Sequence, residues 1–290
     1  MKAAELCARF GLDYHVVDSE WRENYISPSE LERLLEFSER SSSDLRTIIT
    51  ISARHTSCFE KTRKLIEIVK RYENAGLNLV AGNRVYLTDR EVRRSAAKRL
   101  ANLARIVRRY LKERIVFIGT EGLTERASEI AAEYDLVPFL LLDKALESNV
   151  SRIQETYRNG SMAVYVPYLA RCCDYDISAE ALRRLWRYAL RRQWVRKDLE
   201  DKGYNLSLLE ESMKYERNGN CNSIDSRIAE ALMNSIGKLS VYGDAEGFIR
   251  AFQNFKKLGV DTVVGFPLRE EERQVLTFSR YLHYFRRHCI

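Results

Sequence analysis

The chain has 290 residues, of which 45% are hydrophobic and 31% are charged, a composition that can bury a large core and differs from that of disordered proteins. Its apolar runs fall short of the roughly 18–20 residues that cross a bilayer, and its opening segment lacks the pattern of a signal peptide, so we expect a cytoplasmic protein that contacts no membrane. The formal charge is +7, but the 48 basic and 41 acidic residues mostly interleave, which favours a solvated, ion-paired surface over a nucleic-acid partner.

Short β-rich segments alternate with longer amphipathic segments along the first half of the chain. Residue type and periodicity predict strands in DYHVVD from Asp13, in LRTIITIS from Leu45 and in LNLVAGN. Helices are predicted in PSELERLLEFSER from Pro28 and in CFEKTRKLIEIVKRYENAG, with Gly76 as the terminator of the second. A long Arg-rich helix, DREVRRSAAKRLANLARIVRRYL, follows the third strand.

The same alternation continues through the second half. Strands are predicted in RIVFIG, DLVPFLLL, SMAVYVPYL and VDTVVGF, and helices begin at about Leu123 and about Asp143. A wide helical region from about Ser178 to about Ile236, interrupted at NGNCNS, precedes the last strand, and the helices DAEGFIRAFQNFKKLG and EEERQVLTFSRYLHYF flank that strand. The second half therefore differs from the first by a helical insertion.

Alternating strands and helices predict parallel βαβ units with right-handed crossovers. A doubly wound open sheet stays an alternative, but about seven strands separated by single helices, without a GxGxxG turn after the first strand, favour a barrel. No linker divides the chain. We therefore predict an α/β protein of one domain over residues 1–290, with a (β/α)8 TIM-barrel-like fold and a helical insertion before the last strand.

The order of six segments resembles that of the luciferase-like flavin- or F420-dependent oxidoreductases, especially the alkanesulfonate monooxygenase-like branch. The segments are ELCARFGLDYHVVDSEW, RTIITISARHTSCFEKTRKLIEIV, AGLNLVAGN, RIVFIGTEGLTERASEIAAEYDL, SMAVYVPYLARCCDYDISAEALRRLWRYAL and VYGDAEGFIRAFQNFKKLGVDTVVGFPLREEERQVLTFSRYL. The resemblance implies a monooxygenase-like oxidoreductase that binds FMN or coenzyme F420, acts on a small organic substrate and pairs as a homodimer.

Two departures from this family concern the active-site face. The family begins with a strand before its first helix, whereas this chain starts at the helix, so the barrel is expected to be incomplete at its N-terminus. The segment between the family's fourth and fifth strands is shortened to the Arg-rich helix. An alternative function is therefore a catalytically degenerate barrel that serves as a subunit or binding protein.

In such barrels the active site lies at the carboxyl ends of the strands. His55 is the candidate acid–base residue, because imidazole exchanges protons near neutral pH, and Arg54 beside it could hold a phosphate or sulfonate. The alternative for this pair is a solvated loop. The other rim positions that satisfy the rule are Asp18, Ser52, Ala81, Gly82, Asn83, Gly119, Thr120 and Gly122.

Cofactor binding is assigned to the small and polar residues of this rim. Gly82 and Asn83 would let the backbone approach a flat ring, although a turn with positive φ needs the same residues; Ser52 is a further rim residue assigned to the cofactor. The loop of Gly119, Thr120 and Gly122 precedes a helix, whose N-terminus can bind a phosphate; an ordinary turn is the alternative. Arg171, after the predicted SMAVYVPYL strand, could meet an anionic cofactor tail or be a surface charge. No metal ligands are predicted.

Overall fold

The computed structural model describes residues 2–19, 26–41, 45–55, 59–83, 87–158, 160–171, 176–217, 226–269 and 272–289. It divides into two compact units. The first comprises Met1–Leu141, Ala145–Tyr165 and Lys256–Val264, and the second comprises Leu142–Lys144, Val166–Phe255 and Gly265–Ile290. The single domain predicted over residues 1–290 stays a prediction.

The first unit repeats a strand followed by a helix. Its elements are α1 (Lys2–Arg9), β1 (Tyr14–Asp18), α2 (Pro28–Arg40), β2 (Arg46–Ser52), α3 (Phe59–Arg71), β3 (Ala75–Val80), α4 (Asp89–Val92), α5 (Ala96–Tyr110), β4 (Val116–Gly119), α6 (Thr124–Tyr134), β5 (Val137–Leu141) and α7 (Leu146–Thr156). The strand β6 (Ala163–Ala170) begins in this unit. Every strand and helix predicted from the sequence in this part of the chain is present.

Two local predictions in this unit were wrong. Gly76 does not end α3, which stops at Arg71; it lies inside β3, where an added Cβ would meet the Ile115 carbonyl oxygen at 2.5 Å and Ile48 Cδ1 at 2.7 Å. The glycine is needed for close packing, not for a helix end. The Arg-rich helix is also two helices, because Ser95 caps α5 by accepting a bond from the Lys98 N–H at 3.4 Å.

Strands β1 to β6 pair in sequence order and all in parallel. Alternate residues of a strand point to opposite faces of the sheet. The outer face, which includes Ile49, Leu77 and Ile118, forms one core with the helices. The inner face, which includes Ile48, Phe117 and Phe139, forms a separate apolar cluster together with Ala163, Tyr14, Val16, Tyr165 and Val264. Both faces are therefore apolar at this level, as expected for a parallel sheet between two buried layers.

The second unit contains the helical insertion and the end of the chain. The elements after β6 are α8 (Ile177–Leu190), α9 (Gln193–Asp201), α10 (Leu206–Arg217), α11 (Ser226–Ile236), β7 (Val241–Gly243), α12 (Ala245–Lys257), β8 (Thr262–Pro267) and α13 (Glu272–His288). The end of α12 and the start of β8, within Lys256–Val264, belong to the first unit. The predicted insertion is confirmed as α8 to α11, which share one apolar core; the NGNCNS interruption lies outside the described residues.

The strands β7 and β8 pair with opposite edges of β6. The N–H of Arg171 donates to the Gly243 carbonyl at 2.7 Å, whereas the N–H of Leu268 donates to the Tyr168 carbonyl at 2.9 Å. Odd and even residues of a strand direct their backbone groups to opposite edges, so β8 is the neighbour of β6 that continues the series. The three-residue β7, which the sequence did not predict, pairs with β6 but does not continue the series. Seven strands thus form the series.

The series is not closed into a complete ring in the described part of the chain, where pairing joins β1 only to β2 and β8 only to β6. The sequence predicted about seven strands and an incomplete barrel. The α/β fold of an incomplete TIM barrel is confirmed.

Candidate functional site

A row of polar residues crosses the inner face of three neighbouring strands in the first unit. The register pairs Asp18 of β1 with Thr50 of β2, and Thr50 with Asn78 of β3. Thr50 and Asn78 are buried, whereas Asp18 is exposed at the rim. The next residue in the row is Phe117 of β4, so the polar row borders the apolar cluster of the inner face.

Asn78 has an unsatisfied side chain. Its Nδ2 donates to Thr50 Oγ1 at 3.2 Å, but its Oδ1 is buried and has no hydrogen-bond partner among the described residues. If the oxygen and nitrogen of the amide were exchanged, the NH2 group would take the place of Oδ1 and would lack a partner there instead. A buried polar atom without a partner costs about 1–3 kcal/mol, so Asn78 marks a place where a ligand or water can bind. Sequence reasoning missed it; a polar residue inside the apolar strand LNLV was the available signal.

A second polar group that lacks a partner among the described residues lies at the carboxyl ends of β2 and β3, where Ser52 meets Gly82. Ser52 is 8% exposed, and its Oγ has no partner among the described residues. Gly82 has φ +99°, and a Cβ added there would overlap the Ser52 hydroxyl. The glycine therefore lets the backbone of the β3 loop lie directly against this hydroxyl, whereas the approach of a flat ring to Gly82 stays a prediction.

Arg54 holds the same loop. Its Nε donates to the Ala81 carbonyl at 2.7 Å, and a terminal nitrogen donates to the Gly82 carbonyl. At least two of its five donors are thus used on backbone, which makes Arg54 a positioning residue for Gly82. His55 follows it and is also buried, with 8% exposed.

The loop after β4 is satisfied by its own contacts. The N–H and hydroxyl of Thr120 reach the Phe139 carbonyl at 3.1 and 3.4 Å. The N–H of Leu123 donates to the Thr120 carbonyl at 3.0 Å, with Gly122 at φ +69°, the position where a type II turn requires a positive φ. This geometry favours the ordinary turn over a phosphate-binding loop, although the N–H groups at the N-terminus of α6, which could bind a phosphate, come directly after the turn.

The structure brings together only part of the predicted site. Ser52, Arg54 and Gly82 are in contact, and Gly119 is packed beside β3, since a Cβ added there would lie 3.0 Å from Val80 Cγ1. Asn83 is exposed after Gly82. Arg171 belongs to the second unit, where its backbone pairs with β7 and its side chain is exposed.

Two titratable side chains of β1 have shifted pKa values. Burial, opposed by the nearby Arg46 charge, raises the pKa of Tyr14 on the inner face. Burial lowers the pKa of His15 to about 4. His15 alternates with Tyr14 and Val16 and therefore points away from the inner face, so this histidine is outside the candidate site.

A family model, described as a family of unknown function, matches residues 2–274, and no curated protein matches significantly. Three solved structures share the fold. An F420-dependent secondary alcohol dehydrogenase in complex with an F420–acetone adduct is 13% identical, with a TM-score of 0.61 over 97% of this chain and 92% of that one. The monooxygenase RslO1 from Streptomyces bottropensis is 12% identical, with a TM-score of 0.59 over 98% and 92%.

The third structure is the oxygenating constituent of 3,6-diketocamphane monooxygenase from the CAM plasmid of Pseudomonas putida, in complex with FMN. It is 11% identical, with a TM-score of 0.55 over 96% of this chain and 88% of that one. At these identities the likeness concerns the fold. No described helix is long and apolar enough to cross a membrane.

Proposed function

We propose that this chain, which belongs to DUF7388, a family of unknown function, binds FMN or coenzyme F420 at the carboxyl ends of β2 to β4 and acts as an oxidoreductase on a small organic molecule. One observation carries the proposal: the inner face holds two buried polar side chains, Asn78 and Ser52, that have no complete set of partners among the described residues. Solved structures of the same fold include a complex with an F420 adduct and a complex with FMN.

The residues present fit the edge of a flat, polar ring. The unsatisfied Asn78 amide and Ser52 hydroxyl can bond the donors and acceptors of such an edge, while Phe117 and Phe139 supply apolar surface on the same face. Gly82 lets the loop backbone pack directly against the Ser52 hydroxyl, which a side chain at this position would overlap. When bound, the cofactor would supply hydride transfer.

The individual roles belong to this proposal. His55 would move a proton at the rim, and Arg54 would keep Gly82 in place through the Ala81 and Gly82 carbonyls. The remaining cofactor contacts in the first unit are assigned to Asn83, Gly119, Thr120 and Gly122, and the role of Arg171, in the second unit, stays a prediction from the sequence. Thr120 and Gly122 contribute least, since the Thr120 donors already bond Phe139.

Reconstitution tests the binding. Purified protein is titrated with FMN and with F420 and followed by visible absorption and fluorescence. Ser52→Ala should weaken binding about 2- to 10-fold, the worth of one hydrogen bond. Ser128→Ala is the matched control: Ser128 is also buried, but its hydroxyl donates to the Glu125 carbonyl within α6, so binding should not change. Failure of the wild type to bind either cofactor, or equal losses in both variants, would contradict the proposal.

A second candidate is a degenerate barrel that binds a ligand without turnover. It is favoured by Arg54, whose Nε and one terminal nitrogen contact carbonyls, and by the satisfied Thr120 loop. The measurement that separates the two is cofactor reduction or reoxidation in the reconstituted protein with alcohol, aldehyde or ketone panels. Binding with no redox change across the panel would favour the degenerate barrel.

A further inference from the structure

Apart from Tyr110 at its end, the exposed side chains of α5 are basic or amide. Leu100, Leu103, Ala104 and Val107 are buried on the core side of this helix. At about 100° per residue, the opposite side is occupied by Lys98, Asn102, Arg105 and Arg109, all of which are exposed. We call these four residues the basic stripe. It is flanked by Arg99 and Lys112, also exposed, and residues 98–112 contain no carboxylate.

The cations of the basic stripe contrast with three exposed arginines on other helices. Arg63, Arg126 and Arg250 each pair with a glutamate on their own helix. Within the described ranges, no carboxylate lies at ion-pair distance from Lys98, Arg105 or Arg109. The interleaved, ion-paired surface expected from the sequence is therefore interrupted on this helix.

Three acidic residues of the adjacent elements are engaged elsewhere. On α3, Glu67 pairs with Arg63, and on α6, Glu129 pairs with Arg126. Glu91 on α4 is buried and accepts bonds from the Thr88 backbone and hydroxyl.

Arg108 is also a basic residue of α5, but it lies outside the basic stripe and has a structural role. Its guanidinium donates to the carbonyls of Tyr134 at 2.6 Å and Lys112 at 2.9 Å, among others. It closes the ends of α5 and α6, which explains its conformation without a ligand. Lys98, Arg105 and Arg109 have no such contacts in the described structure.

We infer that the basic stripe binds the sugar-phosphate backbone of a double-stranded nucleic acid. From Lys98 to Arg109 the helix rises about 17 Å, at about 1.5 Å per residue, a length along which one strand of a duplex presents about five phosphates at about 3.4 Å each. Arg, Lys and Asn side chains are the usual donors to phosphate oxygens. The inference does not depend on a cofactor.

Two other anionic partners fit less well. A helix that lies on a membrane inserts its apolar face, but the apolar face of α5 is buried in the core. Protein interfaces are centred on apolar and aromatic residues, and the basic stripe has none. A single-stranded partner would need aromatic side chains on which bases stack, which the stripe also lacks, so the duplex is favoured.

The test is fluorescence anisotropy of a labelled duplex of about 20 base pairs, titrated with the full chain at several salt concentrations. Three or four phosphate contacts predict a slope of log K against log salt of about −3 to −4. The variant Arg105→Glu with Arg109→Glu should bind at least about tenfold more weakly at low salt and lower the slope by about two.

The matched control is Arg152→Glu with Arg250→Glu, which changes the net charge equally on exposed arginines outside α5. It should keep most of the wild-type affinity, and circular dichroism should show both variants folded. Equal losses in the two variants would mean that only net charge matters and would overturn the inference. So would the absence of duplex binding by the wild type, or equally tight binding to polyglutamate or to anionic vesicles.

Discussion

The carboxyl end of β3 and the carboxyl end of β4 look alike in the sequence and differ in the structure. Both strands are followed by glycine with polar residues nearby, AGN in one case and GTEG in the other. After β3, Gly82 lies against the Ser52 hydroxyl, which has no partner among the described residues. After β4, the loop donates its own bonds to Phe139 and Thr120. A glycine after a strand therefore does not distinguish a binding place from a closed turn; the partners of neighbouring polar atoms do.

Glycine substitutions give the largest expected contrast between the two loops. Gly82→Ala should lower the free energy of unfolding by about 3 kcal/mol, because the positive φ costs about 1–2 kcal/mol and the methyl overlaps the Ser52 hydroxyl. Gly122→Ala meets no atom within 4 Å and should cost only the φ term of about 1–2 kcal/mol. Urea unfolding measures both.

The double variant Gly82→Ala with Ser52→Ala isolates the overlap. Removing the hydroxyl should recover about 1 kcal/mol or more of the loss, whereas Gly122→Ala combined with Ser52→Ala should be additive. Additivity in both pairs would show that the two loops do not differ in this way.

Much of the fold could be predicted, because its strands are long and β-branched and its helices amphipathic. The segment LRTIITIS became β2 with one residue fewer, and PSELERLLEFSER became α2 unchanged. β7 is only three residues long, which is too short to show the alternating pattern of a strand, so the sequence could not predict it. Gly76 was misread since a glycine that ends a helix and one that admits a neighbouring strand look the same in a sequence.

Less of the candidate site could be predicted, since its contacts are distant in the chain. The bond from Arg54 to the Gly82 carbonyl spans 28 residues, and that from Asn78 to Thr50 also spans 28. The rule that sites lie at strand ends directed attention to Ser52 and Gly82 but away from Asn78, which is inside β3.

His15 adds a third case to the comparison of the two loops. It also has a buried polar atom without a partner among the described residues, but its side chain points away from the inner face of the sheet. Its Nδ1 has no partner among the described residues, and burial lowers its pKa to about 4, below the ordinary value of 6.5. The unfolded chain then binds the proton more readily, so stability is complete above pH 6.5 and is lost as the pH falls toward 4.

Between pH 7 and pH 5 this residue should account for about 2 kcal/mol of lost stability. Urea unfolding across this range should show a smaller loss in His15→Leu than in the wild type by that amount. Val17→Leu, on the same face of β1 and without a titrating group, controls for packing and should keep the wild-type pH dependence. An identical pH dependence in His15→Leu would contradict the role of this histidine.

The smallest expected effect separates the two loops most directly, since it concerns single hydroxyls in protein without a cofactor. Thr120→Val removes a donor to the Phe139 carbonyl and should cost about 1 kcal/mol. Ser52→Ala removes a buried hydroxyl with no partner among the described residues, so it should leave stability unchanged or raise it by up to about 1 kcal/mol, because an unsatisfied polar group is removed. Thermal or urea unfolding of the two variants gives the sign. A clear loss of stability in Ser52→Ala would mean that this hydroxyl already has a partner, and the argument that it awaits a ligand would fail.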